Sequence, residues 1–314
     1  MRGIVKVLIT GCFLAAFAVS GYAGGKREPA PLKVGILPDA DSLPLMVARD
    51  GGFFEAEGVR VELVEFSNPN ELSAAIQARR IDGAISDVLP AAFLAAAGSD
   101  MKITSLTNGR YGIVTSPKSG ITNPGGLRGK KIALSLNTII QYAVDAQLAA
   151  AGVTMSEYEA VAVPNMMLRL EMVLNGSIDA AGLPEPLLTA AVAQGAVLIS
   201  TTDASGIDAG VLLFSKRTLD SRLEDVQAFY RAYERATREI NADPNSFRDF
   251  LVEKAGFPEA VRDTFRFVTY TRPALPAPGQ VERALTWLTD RNLLEAELSF
   301  DDLTDPRAVA EWSN

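Results

Sequence analysis

The chain has 314 residues, 48% of them hydrophobic and 22% charged, with a formal charge of −8. This is enough apolar material for about two domains of ~150 residues, and too much for a disordered chain. The acidic balance and the lack of any Lys/Arg-rich block exclude nucleic acid as a partner, because phosphate neutralisation supplies most of that affinity. There is no histidine and only one cysteine, which removes Ser-His-Asp and Cys-His catalysis and every imidazole metal site.

Residues 1–25 read as a leader. Arg2 and Lys6 give it a positive start, Val7 to Val19 is an apolar run broken only by Thr10 and Gly11, and Gly21-Tyr22-Ala23 offers small residues where a signal peptidase reads. A signal peptide over residues 1–23 is expected, and it is too short for a comfortable bilayer span. Its removal leaves a charge of −10. Ile9-Thr10-Gly11-Cys12 is similar to a lipoprotein box. Cys12 is therefore either a lipid anchor or an apolar residue of the signal core. The protein is expected to be exported, to the periplasm or the cell surface.

From Leu32 the pattern alternates between strand and helix. Lys33 to Leu37 predicts a buried strand. Leu43 to Glu57 predicts a helix with Ser42 as N-cap, Pro44 in the first turn and Gly58 as its stop. Val61 to Phe66 is a second strand, Glu71 to Arg80 a helix opened by Asn70, and Gly83 to Ser86 a short strand. Leu89 to Ala97 is a helix and Met101 to Leu106 a strand. The pattern then repeats: strands at 131–136, 158–163, 180–183 and 196–200 alternate with helices at 139–151, 166–174 and 187–194. Such alternation implies βαβ units and a mostly parallel sheet in each half. One more strand is predicted at Ala209 to Phe214. After it the chain turns helical, near 223–242, 244–255, 258–266 and 279–292.

A helical run without its own sheet must pack on an existing one, and the first half is its natural host. Residues 32–112 and 213–314 are thus expected to form one discontinuous lobe and residues 113–212 the other, joined by two hinge strands near 111–117 and 209–214. Two hinged α/β lobes make a cleft able to close on a ligand.

Several fragments occur in a telling order. They are Gly35-Ile36-Leu37-Pro38, Gly52 to Val59, Ile81-Asp82-Gly83-Ala84, Leu127 to Ala133, Asn175 to Ala181 and Leu183-Pro184-Glu185-Pro186. Together, over residues 32–215, the chain resembles type II periplasmic solute-binding proteins of ABC transporters, in the thiamine-precursor, riboflavin, nitrate and alkanesulfonate group. The resemblance implies an α/β, two-lobed fold and a solute-binding protein without a cofactor or catalytic role. It implies a monomer that serves an ABC permease and its ATPase. Many relatives carry Gly-Ser/Thr where this chain has Leu136-Asn137-Thr138, so an anion held at that helix start is less assured here. Fungal relatives include pyrimidine-synthesis enzymes whose chemistry depends on a histidine, which this chain lacks. The alternatives to transport are an extracytoplasmic sensor and an enzyme on the same fold.

In open α/β sheets, ligands bind beyond the carboxyl ends of the strands, beside helix N-termini that favour acceptors and negative charge. Four loops meet that description. In the first, Asp39, Asp41 and Ser42 either bond a ligand amino group or cap a helix. In the second, Asp87 either caps its helix or faces the cleft as a carboxylate. Asn137 and Thr138, at the start of the second-lobe helix, either bond the ligand or cap the helix, and Glu185, held between two prolines, either faces the cleft or is a solvated loop acid. At the hinge, Asn108, Arg110 and Tyr111 combine an amide, a guanidinium and a ring. Arg110 either clamps a ligand anion or pairs with Asp87 or Asp208. Tyr111 and Tyr142 either stack on a flat ligand or lie in the core. Carboxylates outnumber cations in these loops, which favours a ligand with several N–H donors, such as an aminopyrimidine-like or other heterocycle, over nitrate or a sulfonate.

Overall fold

The computed structural model describes residues 30–202, 207 and 209–312. The expected leader, Cys12 and Asp208 lie outside the described residues. The strands are β1 (Leu32–Ile36), β2 (Val61–Glu65), β3 (Gly83–Asp87), β4 (Met101–Leu106), β5 (Tyr111–Thr115), β6 (Lys131–Leu134), β7 (Glu159–Ala162), β8 (Ala180–Pro184), β9 (Val197–Thr201) and β10 (Gly210–Ser215). The helices are α1 (Leu43–Asp50), α2 (Phe53–Ala56), α3 (Pro69–Gln77), α4 (Val88–Ala96), α5 (Ile139–Ala150), α6 (Met166–Asn175), α7 (Leu187–Ala193), α8 (Lys216–Ser221), α9 (Leu223–Ala242), α10 (Arg248–Glu253), α11 (Pro278–Asp290) and α12 (Phe300–Leu303).

The strands form two five-stranded sheets, ordered β2-β1-β3-β10-β4 and β7-β6-β8-β5-β9. The two orders are the same pattern. In the first sheet β10 runs antiparallel to both neighbours while β1 pairs in parallel with β2 and β3. In the second, β5 is the antiparallel strand and β6 pairs in parallel with β7 and β8. Four strands of each sheet therefore share a direction. The fifth is the one by which the chain enters from the other lobe. The crossings fall at Thr107 to Arg110, between β4 and β5, and between Thr201 and Gly210. All of β10 lies in the first sheet, so the chain has returned before residue 210 rather than at 212 and 213. Both sheets belong to one compact unit, Pro31–Asn314.

Local chemistry explains where the elements differ from the expected ones. The single helix expected over 43–57 is two, because Gly52 adopts φ of 68°, a left-handed conformation that ends α1 and starts α2. Asn68 rather than Asn70 caps α3: its side chain accepts from the N–H groups of Asn70 and Glu71, each at 3.1 Å, ahead of Pro69. The helix expected near 258–266 is only a short turn at Glu259–Val261.

Of the C-terminal helices, α9 packs on α1 and α2, and α11 and α12 pack on α4. The buried stripe of α9 (Val226, Phe229, Tyr230, Tyr233, Ile240) lies against α1 and α2. Phe229 stacks on Phe54 at 5.4 Å and meets Phe214 edge-on at 5.3 Å. Each such ring contributes about 1.5–3 kcal/mol by leaving water. The chain crosses to the second lobe once more in space, where the Glu259–Val261 turn touches α7. Among the described residues, no helix is long and apolar enough to cross a membrane.

Candidate ligand-binding cleft

The carboxyl ends of β1 and β3 face those of β6 and β8 across the gap between the sheets. A cavity of about 50 Å3 lies between them, lined by Asp39, Asp41 and Asp87 from the first lobe and by Tyr111, Thr138, Ile139, Met166 and Pro184 from the second. Five of the ten expected site residues thus share one cavity.

Each is held by specific bonds. Asp41 Oδ1 accepts from the Thr107 hydroxyl at 2.6 Å and Oδ2 from the Tyr111 hydroxyl at 2.7 Å. The neighbouring glycines make this approach feasible. A Cβ on Gly109 would overlap Asp41 Oδ2, and one on Gly210 would sit 2.7 Å from Asp41 Oδ1. Asp39 Oδ1 accepts from the Ser42 N–H at 3.0 Å, and burial, then the Asp41 charge, raise its pKa well above the usual carboxylate range. Ser42 occupies the N-cap position of α1 but makes no side-chain cap bond; its hydroxyl accepts from the Leu37 N–H at 3.3 Å. Burial also pushes the Tyr111 phenol up, with Asp41 adding to it.

Asp87 does two things at once. Oδ1 caps its own helix by accepting from the Leu89 N–H at 3.0 Å. Oδ2 accepts from the Ile139 N–H at 3.2 Å, in the first turn of α5 on the opposite lobe. Burial raises its pKa to about 7, against the pull of those two N–H groups and with a small further push from Asp41. Thr138 caps α5 through Ile140 N–H at 3.3 Å.

The other expected residues lie elsewhere. Asn137 is exposed, at φ of 58°, with its N–H donating to Gln141. Asn108 Oδ1 accepts from the Thr271 N–H at 2.8 Å and hydroxyl at 3.0 Å. Asn108 and Arg110 line a second, wider pocket of about 490 Å3 together with Thr202 and Arg266. Arg110 donates to Glu185 at 2.6 Å, both side chains being buried. Glu185 also accepts from the Thr189 N–H at 3.0 Å and hydroxyl at 2.9 Å, so it ties the hinge to the start of α7. Burial raises its pKa, while Thr189 and Arg110 oppose this. Tyr142 lies against Trp287, ring to ring at 5.8 Å.

Sequence patterns did not point to the remaining contacts. The Tyr270 hydroxyl donates to Ala40 O at 2.7 Å, bracing the first loop from a stretch with no strand or helix signal. Ala40 N–H donates to Glu185 O at 3.2 Å, a bond between the lobes. Asp145 on α5 is buried and accepts from Tyr158, from Trp287 Nε1 of α11 at 2.9 Å, and from Arg291 just after α11. Helix α5 is therefore held by the first lobe at its first turn and again at its middle.

Two α/β lobes of identical strand order, with opposed strand ends meeting over a buried polar cavity, define a two-lobed periplasmic-binding-protein fold. The chain belongs to the NMT1/THI5-like family, which it matches over residues 39–246. A putative aliphatic sulfonates-binding protein of Bacillus subtilis is 28% identical over 141 residues, 43% of this chain and 42% of that protein. A 4-amino-5-hydroxymethyl-2-methylpyrimidine phosphate synthase of Schizosaccharomyces pombe is 27% identical over 141 residues, 44% of this chain and 39% of that protein. The chain thus spans about two fifths of the length of the curated relatives it matches. In fold it is similar to the alkanesulfonate-binding protein SsuA of Xanthomonas axonopodis pv. citri, at a TM-score of 0.76 and 21% identity, over 89% of this chain and 99% of that one.

Proposed function

We propose that the protein is the extracytoplasmic solute-binding subunit of an ABC importer, capturing a small polar or heterocyclic solute between its lobes for a permease and its ATPase. One observation carries the reading: three buried carboxylates from one lobe and the first turn of α5 from the other converge on a single cavity. A solute bonded from both sides favours the closed arrangement, which is how binding is reported to a membrane partner. The family and the likeness to SsuA support the same role.

The ligand in this reading carries several N–H donors, as an aminopyrimidine does, since Asp39, Asp41 and Asp87 line the cavity and, among the described residues, no Lys or Arg does. Asp39, Asp41, Asp87, Tyr111 and Thr138 would contact it. Ser42, Arg110 and Glu185 would hold the loops that do so, and Asn108 and Asn137 would sit at the margin. The leader and Cys12 fit export, with or without a lipid anchor. A second reading, an enzyme on the same fold, draws on Asp87, whose pKa of about 7 suits general acid/base work.

Native mass spectrometry of the purified protein tests the proposal. The expected result is a co-purifying small molecule rich in N–H donors, whose removal expands the protein in small-angle scattering. Turnover of that molecule would favour the enzyme instead. A protein that carries nothing and never changes its dimensions on ligand addition would sink both.

A further inference from the structure

The first turn of α5 brings backbone N–H groups of the second lobe to the cavity. A twelve-residue helix concentrates about half a positive charge at that end, which is where an anion would be received. That end has no acidic residue of its own in its first turn. Its donors are already engaged: Ile139 N–H with Asp87 Oδ2 and Ile140 N–H with Thr138 Oγ1. The counter-charge to α5 is thus a carboxylate of the opposite lobe, buried and anchored by its second oxygen to Leu89 N–H. Asp39 and Asp41 line the same cavity. An anionic solute entering it would have to displace Asp87 from α5 and then sit beside three acids.

Resting on the solute-binding reading above, we propose that Asp87 is the selectivity residue of the cleft: it supplies α5 with an internal anion, so that the site turns away sulfonates and other anions and admits cations or neutral N–H donors. The groups facing Asp87 are Asp39 and Asp41 from the loop after β1, Tyr111 from β5, and the Ile139 N–H of α5. None of them is cationic. Asp87 titrates near neutral pH, so lowering the pH neutralises the residue without a substitution.

The test is a pair of calorimetric titrations, with ethanesulfonate and with 4-amino-2-methylpyrimidine as probes, on the wild type and on Asp87→Asn. Asn keeps the size and one acceptor oxygen and removes the charge. Ethanesulfonate is expected to bind Asp87→Asn at least tenfold more tightly than the wild type at pH 8, and the aminopyrimidine at least tenfold more weakly. A second measurement needs no variant: ethanesulfonate should bind the wild type more tightly at pH 5.5 than at pH 8. Equal ethanesulfonate affinity in the two proteins and at the two pH values overturns the proposal. If the wild type nevertheless co-purifies with a solute, only this inference falls; if it binds nothing at all, the solute-binding reading falls with it.

Discussion

The indole N–H of Trp287, on α11 of the first lobe, donates to the Asp145 carboxylate on α5 of the second at 2.9 Å. The Trp287 ring also meets Tyr142 of α5 edge-on and carries the Arg291 guanidinium over its face, 4.3 Å from the centroid. This clasp lies outside the cavity yet joins the two lobes, so it biases closure without touching a solute. Burial raises the Asp145 pKa, while its three donors oppose the shift. Trp287→Ala should cost the closed arrangement about 1–3 kcal/mol, from one buried hydrogen bond and one ring contact. Small-angle scattering should show a larger radius of gyration at unchanged circular dichroism, with solute affinity falling in proportion to the closed population. Unchanged scattering would remove the clasp from the account of closure.

Asp87 predicts a pH dependence with a definite sign. Its pKa is raised from an unfolded value near 3.8 to about 7. The folded state therefore binds the proton more tightly, and the stability it contributes is present below pH ~4 and lost as pH rises through 7. The largest effect is on the order of 4 kcal/mol. Asp39, also raised, acts in the same direction. Thermal unfolding of the wild type should weaken from pH 4 to pH 8, and Asp87→Asn should flatten that slope. Parallel profiles for the two proteins would mean Asp87 is not the titrating group.

Glu185 and Arg110 form a buried pair, 0% and 6% exposed at the side chains. Glu185→Ala takes a carboxylate away from a buried guanidinium and removes both Thr189 bonds, so a loss of about 3–5 kcal/mol is expected in chemical denaturation. Asp87→Asn should leave the denaturation midpoint at neutral pH nearly unchanged or raised. A Glu185→Ala protein as stable as the wild type would show that the pair does not hold the hinge.

Gly109 packs against Asp41, where an added Cβ would also come within 2.6 Å of the Tyr111 hydroxyl. Gly109→Ala should push the Asp41 carboxylate from its place, at a cost of about 1–3 kcal/mol. Aminopyrimidine affinity should fall with it. A variant with wild-type melting temperature and affinity would mean that the hinge backbone absorbs the methyl group freely.

Much of the fold was legible because it rests on short-range chemistry. The apolar runs at 33–37, 131–136 and 180–183 read as strands, and the long apolar stripe of α9 read as a helix, since period and burial go together. The acids after β1 and β3 were legible as candidates because they fall at strand ends ahead of helices. Where the chain departed from expectation, a single residue decided it: Gly52 split a helix, and Asn68 outcompeted Asn70 as a cap because Pro69 fixes the turn between them.

What the sequence by itself determined is the alternation of strands and helices, the positions of the polar turns between them, and the acidity of the loops. Only the tertiary structure decided which charges meet. Arg110 finds Glu185 across 75 positions of chain and Trp287 finds Asp145 across 142. Asp87 sits on a helix of the opposite lobe, 52 positions away. A side chain's own type fixes that it needs a partner when buried, but not which one. That choice falls to the geometry of two sheets whose strand ends face each other, and it turns a row of capping acids into a bridge between lobes.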